Sequence, residues 1–224
     1  MKEEEESKMK KRTLIVLVVC ICLLASGAFA YSKLRPVEGE NEFRSIGENL
    51  RSPVKTLLDD EASLGDYPMV LTGEYNEEST MGEVLGVGIS KAYFDVRYTS
   101  YKSSPLDYEN PRDEAWTSIK KEVWERKFAE ENNLMPTGNE IAAYVKTNKE
   151  GFDATDEGKA LIRAFCEGMG LTESEYWDYN EKYEAPLAVI HDRVEEFAKE
   201  NKIEFPDADE IDAKIIDEEY FEQL

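Results

Sequence analysis

From Leu14 to Tyr31 the chain carries no charged residue, and this segment constrains everything downstream. Lys8, Lys10, Lys11 and Arg12 precede it, and a polar, acidic chain follows. A bilayer-spanning helix needs about 20 mostly apolar residues. Basic residues beside a span stay on the cytoplasmic side. The pattern predicts a cytoplasmic basic segment over 1–12 and a transmembrane anchor or signal peptide over 13–31. The bulk of the chain then lies outside the cytoplasm. Ala28-Phe29-Ala30 has the form of a leader cleavage site, so a protein cut after Ala30 and secreted is the alternative. The length of the uncharged run favours the retained anchor: a single-pass plasma-membrane protein touching the bilayer through 13–31. A lipoprotein site is disfavoured, because Val19 before Cys20 and Ile21 before Cys22 stand where a small residue belongs.

Charge narrows the partners. The chain holds 27 Lys and Arg against 49 Asp and Glu, a formal net charge of −22. Such a surface repels phosphate backbones, so no nucleic-acid partner is expected. Cys166 is the one cysteine outside the apolar segment, which excludes an intrachain disulfide there. Its neighbours form an apolar helical pattern, and a small buried hydrophobe is the expected role.

The remainder reads as mainly α, with at most one or two short strands. Residues 32–83 are expected to be an irregular juxtamembrane region. A short helix is expected there through Val54, Leu57 and Leu58, with short strands near 69–71 and 84–89. From Ile89 onward apolar residues recur at helical spacing. Ser90 is placed to cap a first helix. Pro111 can occupy the first turn of a second, which should end before Pro136. Thr137 with Glu140, and Thr172 with Glu175, have capping-box spacing. Gly170 is a natural stop between them. Tyr176 through Phe197 predict one long amphipathic helix, kinked or broken before Pro186. Residues 202–224 are expected to form an acidic C-terminal helix, with Asp207 as a cap, too short to stand unless it docks.

No phosphate-binding glycine loop, zinc cluster or nucleophile elbow is present, so no cofactor, metal or catalytic residue is expected. His191, the single histidine, is read as structural, since a general base needs a positioned nucleophile and orienter. The acidic runs lack the alternating ligand pattern and central glycine of a calcium loop.

Aromatic and methionine side chains stand out on the helices: Tyr93, Tyr98, Tyr101, Trp116, Trp124, Met169, Tyr176, Trp177, Tyr179 and Tyr183. One reading is core packing. The other is a groove for apolar segments of other chains, for which aromatics give contact area and methionine adapts its shape. On that second reading these ten residues are the candidate peptide-binding set.

The stretch "GVGISKAYFDVRYTSYK" resembles the opening of the SurA N-terminal-like domain family, where a short strand leads into an aromatic helix. "AWTSIKKEVWERKFAEENNLMPTGNEIAAYV" resembles that domain's next long helix and its capped restart, and "GMGLTESEYWDY" the restart after it. The resemblance covers residues 84–201. It implies an orthogonal multi-helix domain of an exported bacterial chaperone that binds unfolded or extended polypeptide segments. Two departures limit what carries over. The parvulin prolyl isomerase domain that often follows has no counterpart after Asn201, and "LGVG" replaces the usual Asn-Gly turn. The resemblance thus implies a non-catalytic, membrane-tethered, chaperone-like module. The alternatives are a dedicated protein–protein interaction subunit docking one membrane or envelope partner, and, third, an enzyme of unrecognised type.

Overall fold

A computed structural model describes residues 39–59 and 79–224 of the chain. The apolar segment 13–31 and the strand expected near 69–71 lie outside the described residues. Among the described residues no helix is long and apolar enough to cross a membrane.

The fold is mainly helical, with one small sheet. Helix α1 spans Glu40–Asp59. Phe43, Leu50, Val54 and Leu57 recur at steps of three, four and seven on one buried face. This corrects the expectation of an irregular stretch with only a short helix. Gly47 and Pro53, which argue against a helix in isolation, sit inside it. Burying each of those large apolar side chains contributes about 1.5–3 kcal/mol, which offsets the weak local preference.

Strands β1 (Thr80–Val84) and β2 (Val87–Ser90) form a hairpin closed by Leu85 and Gly86. Both turn residues have positive φ, 51° and 79°. That conformation matches the twist of two-residue hairpins and suits glycine best. Helix α2 (Lys91–Lys102) follows at once, capped by Ser90, whose Oγ accepts from the Tyr93 N–H at 3.0 Å. Helix α3 (Pro111–Asn132) starts on its proline and ends at Asn133 in the left-handed conformation. Helices α4 (Gly138–Asp153), α5 (Asp156–Met169) and α6 (Glu173–Tyr179) follow. Both predicted capping boxes are present, and Gly170 ends α5 with φ of 74°.

The long helix expected through Pro186 is two helices. Helix α6 passes through a π-helical turn, Asn180–Glu184, into α7 (Ala185–Asn201). Proline cannot donate to the preceding turn and its ring crowds it, so the backbone widens by one residue instead.

The C-terminal segment corrects a further expectation. It is not one helix. A 3₁₀ turn (Ala208–Glu210) leads to strand β3 (Ala213–Ile215) and the short helix α8 (Glu218–Gln223). Strand β3 pairs antiparallel with β1, giving the order β2-β1-β3, so three strands stand among the described residues where at most two were expected. Lys214 Nζ meets Glu83 across the ladder at 3.2 Å. Gly82 is required here, because a Cβ would stand 2.5 Å from the Lys214 carbonyl oxygen and 2.6 Å from the Trp116 ring. Helix α8 docks on the body: Phe221 packs on Phe94 at 5.7 Å, and the Tyr220 hydroxyl donates to Asp95 at 2.6 Å.

Candidate functional site

Two arrangements of side chains could carry function: a buried charge cluster and a partly exposed row of aromatic rings.

The cluster joins α2, α3, α6 and the π turn. Arg97 is 2 % exposed and donates to the Tyr93 hydroxyl from Nε and Nη2, at 2.9 and 2.7 Å. Its Nη1 donates to Glu184 at 3.2 Å. The Tyr93 hydroxyl in turn donates to Glu122 Oε2 at 2.5 Å, and Ser118 donates to Oε1 at 2.9 Å. The Tyr179 hydroxyl donates to Glu184 at 2.9 Å. Burial pushes the Glu122 carboxyl up to about 7 against the pull of Arg97 and its two hydroxyl donors. Burial also opposes the charge on Arg97, but Glu122 and Glu184 outweigh it and hold the guanidinium firmly protonated. A carboxyl titrating near neutrality suits a general acid or base. Glu122, however, is 6 % exposed and both its oxygens are occupied by internal donors, so it serves to pin helices together.

The π turn contributes two further buried groups. Among buried side-chain atoms of the described residues, Asn180 Oδ1 and the Tyr183 hydroxyl take no protein partner. His191 Nδ1 lies 2.9 Å from Glu125, whose hydrogen bond raises the imidazole pKa against the effect of burial. His191 is thus a helix-to-helix tie between α3 and α7. No group of three or more His, Cys, Asp or Glu among the described residues could hold a metal ion.

Nine of the ten aromatic and methionine residues read as a peptide-binding set are buried in the core: Tyr93, Tyr98, Tyr101, Trp116, Met169, Tyr176, Trp177, Tyr179 and Tyr183. Their rings pack on one another, as Tyr176 does on Trp177 at 5.0 Å and Tyr179 on Tyr183 at 5.2 Å. They hold the fold together and present no open groove.

Trp124 is the exception, and it has neighbours that the candidate set omitted. Its ring stacks on Phe128 at 5.1 Å and meets Phe205 edge-on at 5.3 Å. Phe128 meets Phe197 at 5.9 Å. The four rings form a ladder across α3, α7 and the segment after α7. Trp124, Phe128 and Phe197 are half-buried, and Phe205 is 41 % exposed. Local signals position it. Trp124 and Phe128 are one helical turn apart on α3. Lys202, left-handed at the end of α7, turns the chain back so that Phe205 reaches Trp124. The spacing of Trp124 and Phe128 was visible in the sequence, but Phe197 lies 69 residues beyond Phe128 and Phe205 lies 81 beyond Trp124. Comparison with protein-family models, characterised proteins and solved structures finds no match to this chain.

Proposed function

We propose that this protein is a non-catalytic, chaperone-like module that binds unfolded or extended polypeptide segments, held at the outer face of a membrane by residues 13–31. The observation that carries this reading is the aromatic ladder. Large apolar rings at a surface are costly to leave in water and mark contact sites. Four adjoining rings, one of them exposed and three half-buried, offer reversible burial for a client's apolar side chains without any covalent step. The resemblance of residues 84–201 to SurA N-terminal-like domains supports the same reading. So does the order of capped elements, from the short strand before α2 to the Thr172 restart of α6. The acidic surface helps a protein–client complex stay in solution.

The test is aggregation of an unfolded model protein in the presence of the purified chain. Stoichiometric amounts should slow light-scattering growth, and Phe205→Ser should weaken the effect. No slowing with several different clients, and no measurable peptide binding, would exclude the reading. The tether is tested separately, by extracting cell membranes with carbonate and determining the N-terminus of the protein. A mature chain that starts at Tyr31 in the soluble fraction would exclude the anchor.

A further inference from the structure

The surroundings of the ladder narrow what can dock there. Glu131 lies three residues after Phe128 on α3, and Glu200 three residues after Phe197 on α7, so each carboxylate lies one helical turn beyond its ring. Glu204 adjoins Phe205. All three are exposed and take no ion pair among the described residues. Three cations on the same part of α3 are engaged, Lys120 with Asp209 at 3.8 Å, Arg126 with Glu130 at 2.9 Å, and Lys127 with the Leu85 carbonyl at 2.5 Å, while Lys121 is exposed. From Glu195 to Glu210 the chain carries seven acidic residues and two lysines. The ladder is therefore an aromatic strip with a rim of net negative charge, in which acidic residues outnumber the exposed Lys121, Lys199 and Lys202.

The fold itself shows what such rings accept. Arg112 lies over the Phe221 ring at 4.6 Å. A cation over a ring face is attracted by the ring's quadrupole, and a carboxylate beside it adds Coulomb attraction.

We infer that the ladder is a docking surface for cationic extended polypeptide segments in which Arg or Lys alternates with apolar residues. The apolar side chains cover the rings of Trp124 and Phe205. The cationic side chains lie along the ring faces, with their heads toward Glu131, Glu200 and Glu204. This rests on the polypeptide-binding reading and adds to it a sign of charge and a place. A segment rich in Asp or Glu meets the same rim as repulsion, which gives discrimination that aromatic contact alone does not supply.

The probes are three fluorescent twelve-residue peptides of the same apolar pattern, carrying arginine, glutamine or glutamate at the alternate positions. Binding to the full chain is read by anisotropy at low and high salt, and self-association by analytical ultracentrifugation. The arginine peptide is expected to bind about tenfold more tightly than the glutamine peptide at low salt, with the difference shrinking at high salt. Replacing Glu131, Glu200 and Glu204 together by Gln should erase that preference while glutamine-peptide binding persists. Phe205→Ser, on an exposed side chain, should weaken binding of both peptides. Equal binding of arginine and glutamine peptides overturns the charge inference but leaves polypeptide binding intact. Failure of every peptide to bind overturns both. Binding unchanged by Phe205→Ser and by the triple Gln variant overturns the placement. A concentration-dependent dimer that Phe205→Ser abolishes also overturns it, making a second copy of the chain the occupant.

Discussion

Arg97 Nε and Glu122 Oε1 lie 3.2 Å apart on α2 and α3, with both side chains closed off from solvent. Glu184 approaches the same guanidinium from the π turn, so two carboxylates share one buried cation. The arrangement ties three elements at one point, and its charge balance has measurable consequences.

The first is a pH dependence. Burial raises the Glu122 pKa to about 7 from an ordinary value near 4.5. Between those values the folded protein holds a proton that the unfolded chain has released. Glu122 therefore favours the folded state at low pH, and that contribution is lost as pH rises from about 4.5 through 7. The loss is on the order of 3 kcal/mol at most. Glu122→Gln has no such titration. Measured by thermal melting, the Tm of the Gln variant relative to the unaltered protein should rise steadily between pH 5 and pH 8. A difference that stays flat over that range would show that Glu122 does not titrate there.

Removing the cation should be more damaging than removing either acid. Arg97→Met leaves Glu122 and Glu184 buried without their shared partner. Breaking a buried pair from one side costs about 3–5 kcal/mol. Urea denaturation should show a loss of that size at pH 8. The loss should be smaller at pH 5, where Glu122 takes up a proton.

Helices α1 and α5 touch through glycine. A Cβ on Gly47 would stand 2.3 Å from the Phe165 carbonyl oxygen, and one on Gly168 would stand 2.2 Å from that of Arg44. Both obstacles are backbone and cannot swing aside. Gly47→Ala or Gly168→Ala should therefore cost about 3 kcal/mol and lower the Tm by roughly 6–12 °C. A Cβ on Gly138 would meet nothing within 4 Å, so alanine there should be accepted without loss.

The Tyr183 hydroxyl is buried without a protein partner. A buried polar group left without one costs about 1–3 kcal/mol. Tyr183→Phe keeps the ring contact with Tyr179 and removes the hydroxyl. Its denaturation midpoint should be equal to or above that of the unaltered protein, and a clear fall would reveal a partner for the hydroxyl.

Cys166 is buried on α5, and burial pushes its thiol up to about 12. The thiolate is the reactive form. Iodoacetamide at pH 8 should leave Cys166 unmodified in the folded protein and alkylate it in 6 M guanidinium, as read by peptide mass mapping.

Helix boundaries were legible because their causes are local. Ser90, Thr137 with Glu140, Thr172 with Glu175, Gly170 and Pro111 each act within one turn of chain, and each does in the structure what its spacing predicts. Pro186 announced a break in the same way, although not its π-helical form. The buried place of Cys166 followed from its apolar neighbours.

Other features depend on contacts far along the chain. Helix α1 contains Gly47 and Pro53, and it becomes legible only beside α5, where the glycine permits close approach. Strand β3 looks like part of an acidic helix until β1, about 130 residues earlier, supplies its partner. Arg97 is buried because Glu122 and Glu184, 25 and 87 residues further along the chain, converge on its charge. The sequence by itself determined where helices start and stop, because capping and proline chemistry act over three or four residues. Only the tertiary structure decided which aromatic rings are core and which meet water. That depends on what packs against each ring: nine of the ten candidates are covered from all sides, while Trp124, with Phe128, Phe197 and Phe205, is left at an edge.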